Sequence, residues 1–161
     1  MHNPRGRGRS TGLALYLLLG QMVQVGFDKI PPVTLTLIAG QVAVFLQLFD
    51  VHWTRYDISN ICISALQVWY RDDWKRLLLA TFFHADEWHL YFNMISLLWK
   101  GIKLEKKFGS IYFLCLVAVF SVLVNVILVA LSICADHLTY DHSFITQCAV
   151  GFSGTSFYCM Y

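Results

Sequence analysis

Residues Ser110 to Ala135 read SIYFLCLVAVFSVLVNVILVALSICA, twenty-six positions without a charge. As an α-helix this run is about 39 Å long, more than the ~30 Å hydrocarbon core of a bilayer. Its interior Asn125 is expected to bond to a neighbouring helix, because an unpaired amide in lipid is costly. The rest of the chain agrees. Hydrophobic residues make up 57% of 161 and charged residues 14%, against about a quarter in ordinary soluble domains. A soluble chain this small has too little interior to hide that apolar surface. The class that follows is an all-α, polytopic integral membrane protein, since in lipid the backbone must satisfy its own hydrogen bonds. A net charge of +2 gives no reason to expect a nucleic-acid partner.

Working outward from this run, Gly109-Ser110 makes a turn, and Trp88 to Leu104 is read as a second span. It ends among Lys100, Lys103, Lys106 and Lys107, whose stems can lie along the apolar surface while the ammonium groups reach water. Ile30 to Phe49 is twenty uncharged residues opening on Pro31-Pro32, which suits the first turn of a helix. Gln41 and Gln47 are expected to face other helices. Residues 1–29 are read as a basic tip carrying Arg5, Arg7 and Arg9, followed by an interfacial or partly embedded helix from Leu13 to Phe27. Between Asp50 and Glu87, charges of both signs mix with Trp53, Trp69, Tyr70 and Trp74. That composition belongs at a membrane-water interface, and a connection this long is expected to be structured. Ile61 to Tyr70 is read as a short amphipathic helix. Cys148 to Tyr161 is apolar but fourteen residues long, the start of a fourth span. The excess of Arg and Lys on the tip and after the second span places both on the cytosolic side. The long first loop and the acidic stretch 136–147 then fall on the opposite side.

The five cysteines, at 62, 115, 134, 148 and 159, lack zinc-type spacing. Cys62, Cys134 and Cys148 fall at or near one membrane side, where a disulfide is possible in an oxidising compartment, with the pair left open. His84, Asp86, Glu87 and His89 superficially resemble metal ligands. The order is not His-Glu-x-x-His, and two histidines five apart sit badly for one metal on a helix, so no metal or other cofactor is expected. His137, Asp141 and His142 are read as a solvated loop.

His89 and Asn93 are four apart and share one helix face within a membrane segment, where polar groups by default suggest function. They come in a set. Trp74-Lys75-Arg76 precedes His89-Leu90-Tyr91-Phe92-Asn93. Then follow Gly101 to Ser110, with Glu105 and Gly109 at four-residue steps, and finally Gly151-Phe152-Ser153-Gly154. In order and type these motifs resemble the rhomboid family of intramembrane serine proteases, over about Arg5 to Gly154. The fold implied is a partial rhomboid helical bundle of three spans and the start of a fourth, with the domain over residues 30–161. The resemblance implies Ser153 as nucleophile, and His89 and Asn93, with the Ser153 N–H, as the oxyanion hole. It implies Gly151 and Gly154 as motif glycines allowing close packing, and Arg76, Glu105 and Gly109 as structural residues. It implies transmembrane-segment proteins as substrates or clients, the lipid bilayer as medium, the endoplasmic reticulum as location, and quality-control machinery as partner.

The sequence departs from the family in one respect. Its general base is a histidine on a later span, and no histidine follows Ser153 in these 161 residues. A serine hydroxyl is a weak nucleophile without an adjacent base. The expectation is therefore a truncated, inactive product, with a derlin-like client-binding module as the alternative.

Overall fold

The computed structural model of the protein describes residues 12–48 and 61–148. They form helices α1 (Leu13–Val25), α2 (Pro32–Phe45), α3 (Arg76–Leu79), α4 (Glu87–Phe108), α5 (Ser110–Thr139) and α6 (Ser143–Thr146). Among the described residues no element is a strand.

The bundle is arranged around α4, which packs against α1, α2 and α5. The cause lies in its sequence. Leu90, Met94, Leu97, Leu98, Gly101 and Glu105 recur at three- and four-residue steps and are all buried, while Trp88, Phe92, Trp99, Lys100 and Lys103 face outward. The buried face meets Leu18 and Met22 of α1, Ile38 of α2 and Phe113 of α5 in the main core. α1 is therefore a packed member of the bundle, with Ala14, Leu18 and Met22 buried.

α5 runs four residues beyond the expected Ala135 and leaves most of its surface uncovered, with Ile111, Val119, Leu131 and Leu138 more than half exposed. Among the described residues it is the one helix long and apolar enough to cross a membrane unaided. α1 and α2 are apolar but shorter, at 13 and 14 residues. α2 stops at Phe45, where the sequence suggested 49. Gln47 adopts a left-handed backbone (φ 55°) that breaks the helical repeat.

α4 and α5 are joined through Gly109 alone, so they run antiparallel as neighbours. The N-terminal end of α4, with His89, thus shares one end of the hairpin with the C-terminal end of α5. The segment before α4 folds back at that end. Ile63, Ala65, Val68, Leu77 and Ala80 pack on Val129 of α5 in a second core. Residues 61–64 are buried but not helical, and the chain winds only from Ala65, with Leu66–Tyr70 a π-type turn. The amphipathic helix expected over 61–70 is thus half realised. Asn125 of α5 donates through Nδ2 to the Leu77 carbonyl (2.7 Å) and the Thr81 hydroxyl (3.2 Å). Its partners are the short neighbouring helix α3 and the turn after it, in line with the expected bond to a neighbouring helix.

Candidate active site

The buried Glu105 carboxylate accepts four hydrogen bonds among the described residues. Oε1 accepts from the Val33 N–H (2.9 Å) and the Ser110 hydroxyl (2.7 Å). Oε2 accepts from the N–H and the hydroxyl of Thr34, both at 2.7 Å. α2 begins at Pro31-Pro32 without a side-chain cap of its own. Its first N–H groups need acceptors, and its N-terminus favours negative charge. Glu105 supplies both across the helix interface. Gly101 sits one turn earlier, where an added Cβ would lie 2.5 Å from the Thr34 hydroxyl oxygen. Gly109 holds φ at 86°, a left-handed value that turns the chain from α4 into α5. The run Gly101, Glu105, Gly109, Ser110 is thus one clamp that fixes α2 and α5 to α4, and so fixes the helix carrying His89 and Asn93.

At the other end of α4, Asp86 is the N-cap, and its Oδ1 accepts from the His89 N–H at 2.8 Å. The neighbouring Glu87 accepts from the Gly12 N–H at the start of α1 (3.1 Å). Asp86 and Glu87, which look like metal ligands in the sequence, each satisfy a helix N-terminus instead. A cap at this position is readable from an Asp before an apolar helix, and the sequence reading missed it. Among the described residues no group of three His, Cys, Asp or Glu side chains is placed to hold a metal.

His89 and Asn93 are both buried on the inner face of α4. His89 Nδ1 faces the Ala85 N–H at 3.5 Å, which puts the proton of the neutral ring on Nε2. Asn93 Nδ2 is buried without a hydrogen-bond partner among the described residues. A buried donor left unpaired costs about 1–3 kcal/mol, so it calls for an explanation. His84 lies against His89, ring centroids 5.2 Å apart and edge to face. Burial, reinforced by the adjacent His89, pushes His84 down to about 4, so it is neutral at physiological pH.

Arg76 is nearly enclosed, its side chain 11% exposed. Its Nε donates to Asp73 (2.8 Å) and its Nη1 to the Cys62 carbonyl (3.0 Å). Cys62 is joined by a disulfide to Cys148, their Cα atoms 5.4 Å apart, while Cys115 and Cys134 are free thiols. The pairing left open by the sequence is thereby decided. Ser153, Gly151 and Gly154 lie outside the described residues. Of the site residues read from the sequence, the structure places His89 and Asn93 on one helix face, Glu105 and Gly109 in the clamp, and Arg76 beside Cys62.

A helical bundle whose longest helix is long and apolar enough to cross a membrane defines a class: a helical membrane protein. The Rhomboid domain matches residues 71–161, and the chain belongs to the rhomboid family. It is 44% identical over 153 residues to Rhomboid-related protein 4 of Rattus norvegicus, covering 95% of this chain and 46% of that protein. With Rhomboid-related protein 4 of Homo sapiens the identity is 42% over the same coverage. With Rhomboid-like protein 14, mitochondrial, of Arabidopsis thaliana it is 34% over 156 residues, 94% of this chain and 47% of that protein. The chain thus spans a little under half the length of the curated relatives it matches. No solved structure matches it.

Proposed function

We propose that this chain carries the nucleophile and the oxyanion-binding half of a rhomboid-type intramembrane serine endopeptidase acting on transmembrane protein segments. The observation that carries this reading is the Asn93 amide, one helical turn from His89, whose Nδ2 is buried without a partner among the described residues. A donor kept unpaired inside a packed bundle is held ready for charge that appears only during reaction. In this reading Ser153 Oγ attacks the scissile carbonyl, and the oxygen of the tetrahedral intermediate is held by Asn93 Nδ2, His89 Nε2–H and the Ser153 N–H. Gly151 and Gly154 keep bulk away from the hydroxyl. Family membership supports the same assignment.

The reaction also needs a proton acceptor for Ser153. Binding of membrane clients without cleavage, as in the derlin-like proteins, is the second reading. Location in the endoplasmic reticulum with a cytosolic N-terminus is part of the proposal. It is supported by Lys100, Lys103, Lys106 and Lys107 at one end of α4 and a disulfide at the other, where an oxidising lumen would be.

The test is a fluorophosphonate probe on membranes holding the chain, beside its Ser153→Ala form. Serine-dependent labelling supports the protease reading. Capture of transmembrane clients with no labelling by either form supports the binding module. Equal labelling of both forms removes Ser153 as nucleophile.

A further inference from the structure

The seam between α2 and α4 is clasped by Glu105 at one end and holds a second polar group two turns further along. The two helices run antiparallel: Thr34 meets Gly101 and Glu105, while Val44 packs with Phe83, just ahead of α4. Gln41 follows Thr34 by seven residues, two turns on along the same face of α2. Two turns back along α4 from Gly101 and Glu105 lie Met94 and Leu98, and Asn93 precedes Met94. Gln41 is 0% exposed, as are Met94 and Leu98. Neither Nε2 nor Oε1 of Gln41 has a hydrogen-bond partner among the described residues, and neither does Asn93 Nδ2. Two amides at one level of the seam thus leave an acceptor and two donor nitrogens unmet. Buried polar groups in folded proteins are paired with protein or with ordered water. Internal waters settle where such groups converge and make about three hydrogen bonds each.

We propose that Gln41 is a positioning residue for Asn93 and acts through an internal water at this seam. The water accepts from Asn93 Nδ2 and donates to Gln41 Oε1. Gln41 Nε2 donates to the same water or to one beside it. The two amides make no direct bond, and a bridging water is nearly as good as one. The nitrogen of an asparagine amide carries two hydrogens. Gln41 claims one of them, which fixes the plane of the amide and leaves the other for the site. α2 is itself held to α4 by Glu105, so the bridge works from a fixed base. The consequence for catalysis rests on the protease reading; the water site does not. In that reading the second hydrogen is the oxyanion donor, and a donor misplaced by about 1 Å can cost a hundredfold in rate.

Water-edited solid-state NMR tests this on the full chain in lipid bilayers, isotope-labelled at glutamine and asparagine nitrogen. Magnetisation is expected to pass from water to the side-chain amides of Gln41 and Asn93 at short mixing times. The Gln41 signal is identified by its loss in Gln41→Met, which keeps the volume and removes the amide. Gln41→Asn, whose amide stops one methylene short, takes its place if the first variant does not assemble. The Asn93 signal is identified by its loss in Asn93→Leu. Transfer to Asn93 is expected to fall about threefold or more in Gln41→Met, because the water loses its second anchor. Ile38→Val, on the same face of α2, should leave it unchanged. No transfer to Gln41 in the parent overturns the proposal, and so does equal transfer to Asn93 in parent and Gln41→Met. An unfolding midpoint raised in Gln41→Met also overturns it, since that marks a dry amide without partners. Fluorophosphonate labelling of Ser153 is expected to slow about tenfold in Gln41→Met. Labelling at the parent rate overturns the positioning role, as does equal slowing in Ile38→Val. If the parent does not label at all, the protease reading fails, and the water transfer still decides the site.

Discussion

At the scale of single residues, the Asn93 side chain shows how burial and function pull apart. An amide whose Nδ2 makes no bond among the described residues gains no stability from them there, yet it is enclosed. Asn93→Leu keeps the volume and removes the donor. It is expected to leave the unfolding midpoint unchanged or raised, while Ser153-dependent labelling falls about a hundredfold or more. A midpoint that drops together with labelling would mean the amide is structural. His84 gives a pH signature. Its folded value of about 4 lies below the ordinary 6.5 because burial and His89 disfavour the charged ring. Between those values the unfolded chain binds a proton that the folded chain refuses. Stability is thus full above about 6.5 and declines as pH falls toward 4, by up to roughly 3 kcal/mol. Thermal unfolding in detergent at pH 7 and pH 5 should show the decline, and His84→Phe should flatten it. His89 and Asn93 were legible as a pair because the four-residue step of a helix is written in the sequence. Asp86 as cap was readable from an Asp before an apolar helix and was missed, while His84 as ring neighbour was not legible, because it depends on where a loop turns before α4.

At the scale of elements, the clamp around Glu105 explains why this glycine, glutamate, glycine and serine recur at fixed steps. Gly101 lets Thr34 approach, Thr34 and Val33 present their N–H groups, and Glu105 accepts them. Gly101→Ala places a methyl group 2.5 Å from the Thr34 hydroxyl oxygen and 3.1 Å from its Cβ, so the helix itself must shift. The expected loss is about 1–3 kcal/mol, the usual result of overpacking. Thr34→Ala costs its own hydrogen bond to Glu105 but removes the clash. The double variant should therefore be less destabilised than the sum of the single losses, measured by denaturant or heat unfolding. Additive losses would show that the two helices do not meet here. Much of the element pattern was legible from apolar runs and prolines. The contact of α1 with α4 was not, since an interrupted apolar helix reads the same on a membrane surface as in a bundle.

At the scale of the whole molecule, the disulfide closes a loop across 86 residues, tying the segment before α4 to the segment after α5. A soluble chain would gain up to roughly 4.5 kcal/mol from restricting its unfolded state in this way. Here the gain is expected to be smaller, because spans that stay inserted already limit the unfolded ensemble. Dithiothreitol should lower the unfolding midpoint in the parent and leave Cys62→Ser unaffected. A midpoint indifferent to reductant would remove the link from the stability account.

The sequence by itself determined the membrane class, the helical content and the spacing of His89 and Asn93. Hydropathy and the 3.6-residue repeat are local properties, and a bilayer admits few backbone solutions to them. Only the tertiary structure decided that Glu105 caps α2, that Asn125 bonds to the segment before α4, and that Cys62 pairs with Cys148. Each of these joins residues between 44 and 86 positions apart. Which distant groups meet is set by how the helices pack, and no local pattern in the chain encodes that.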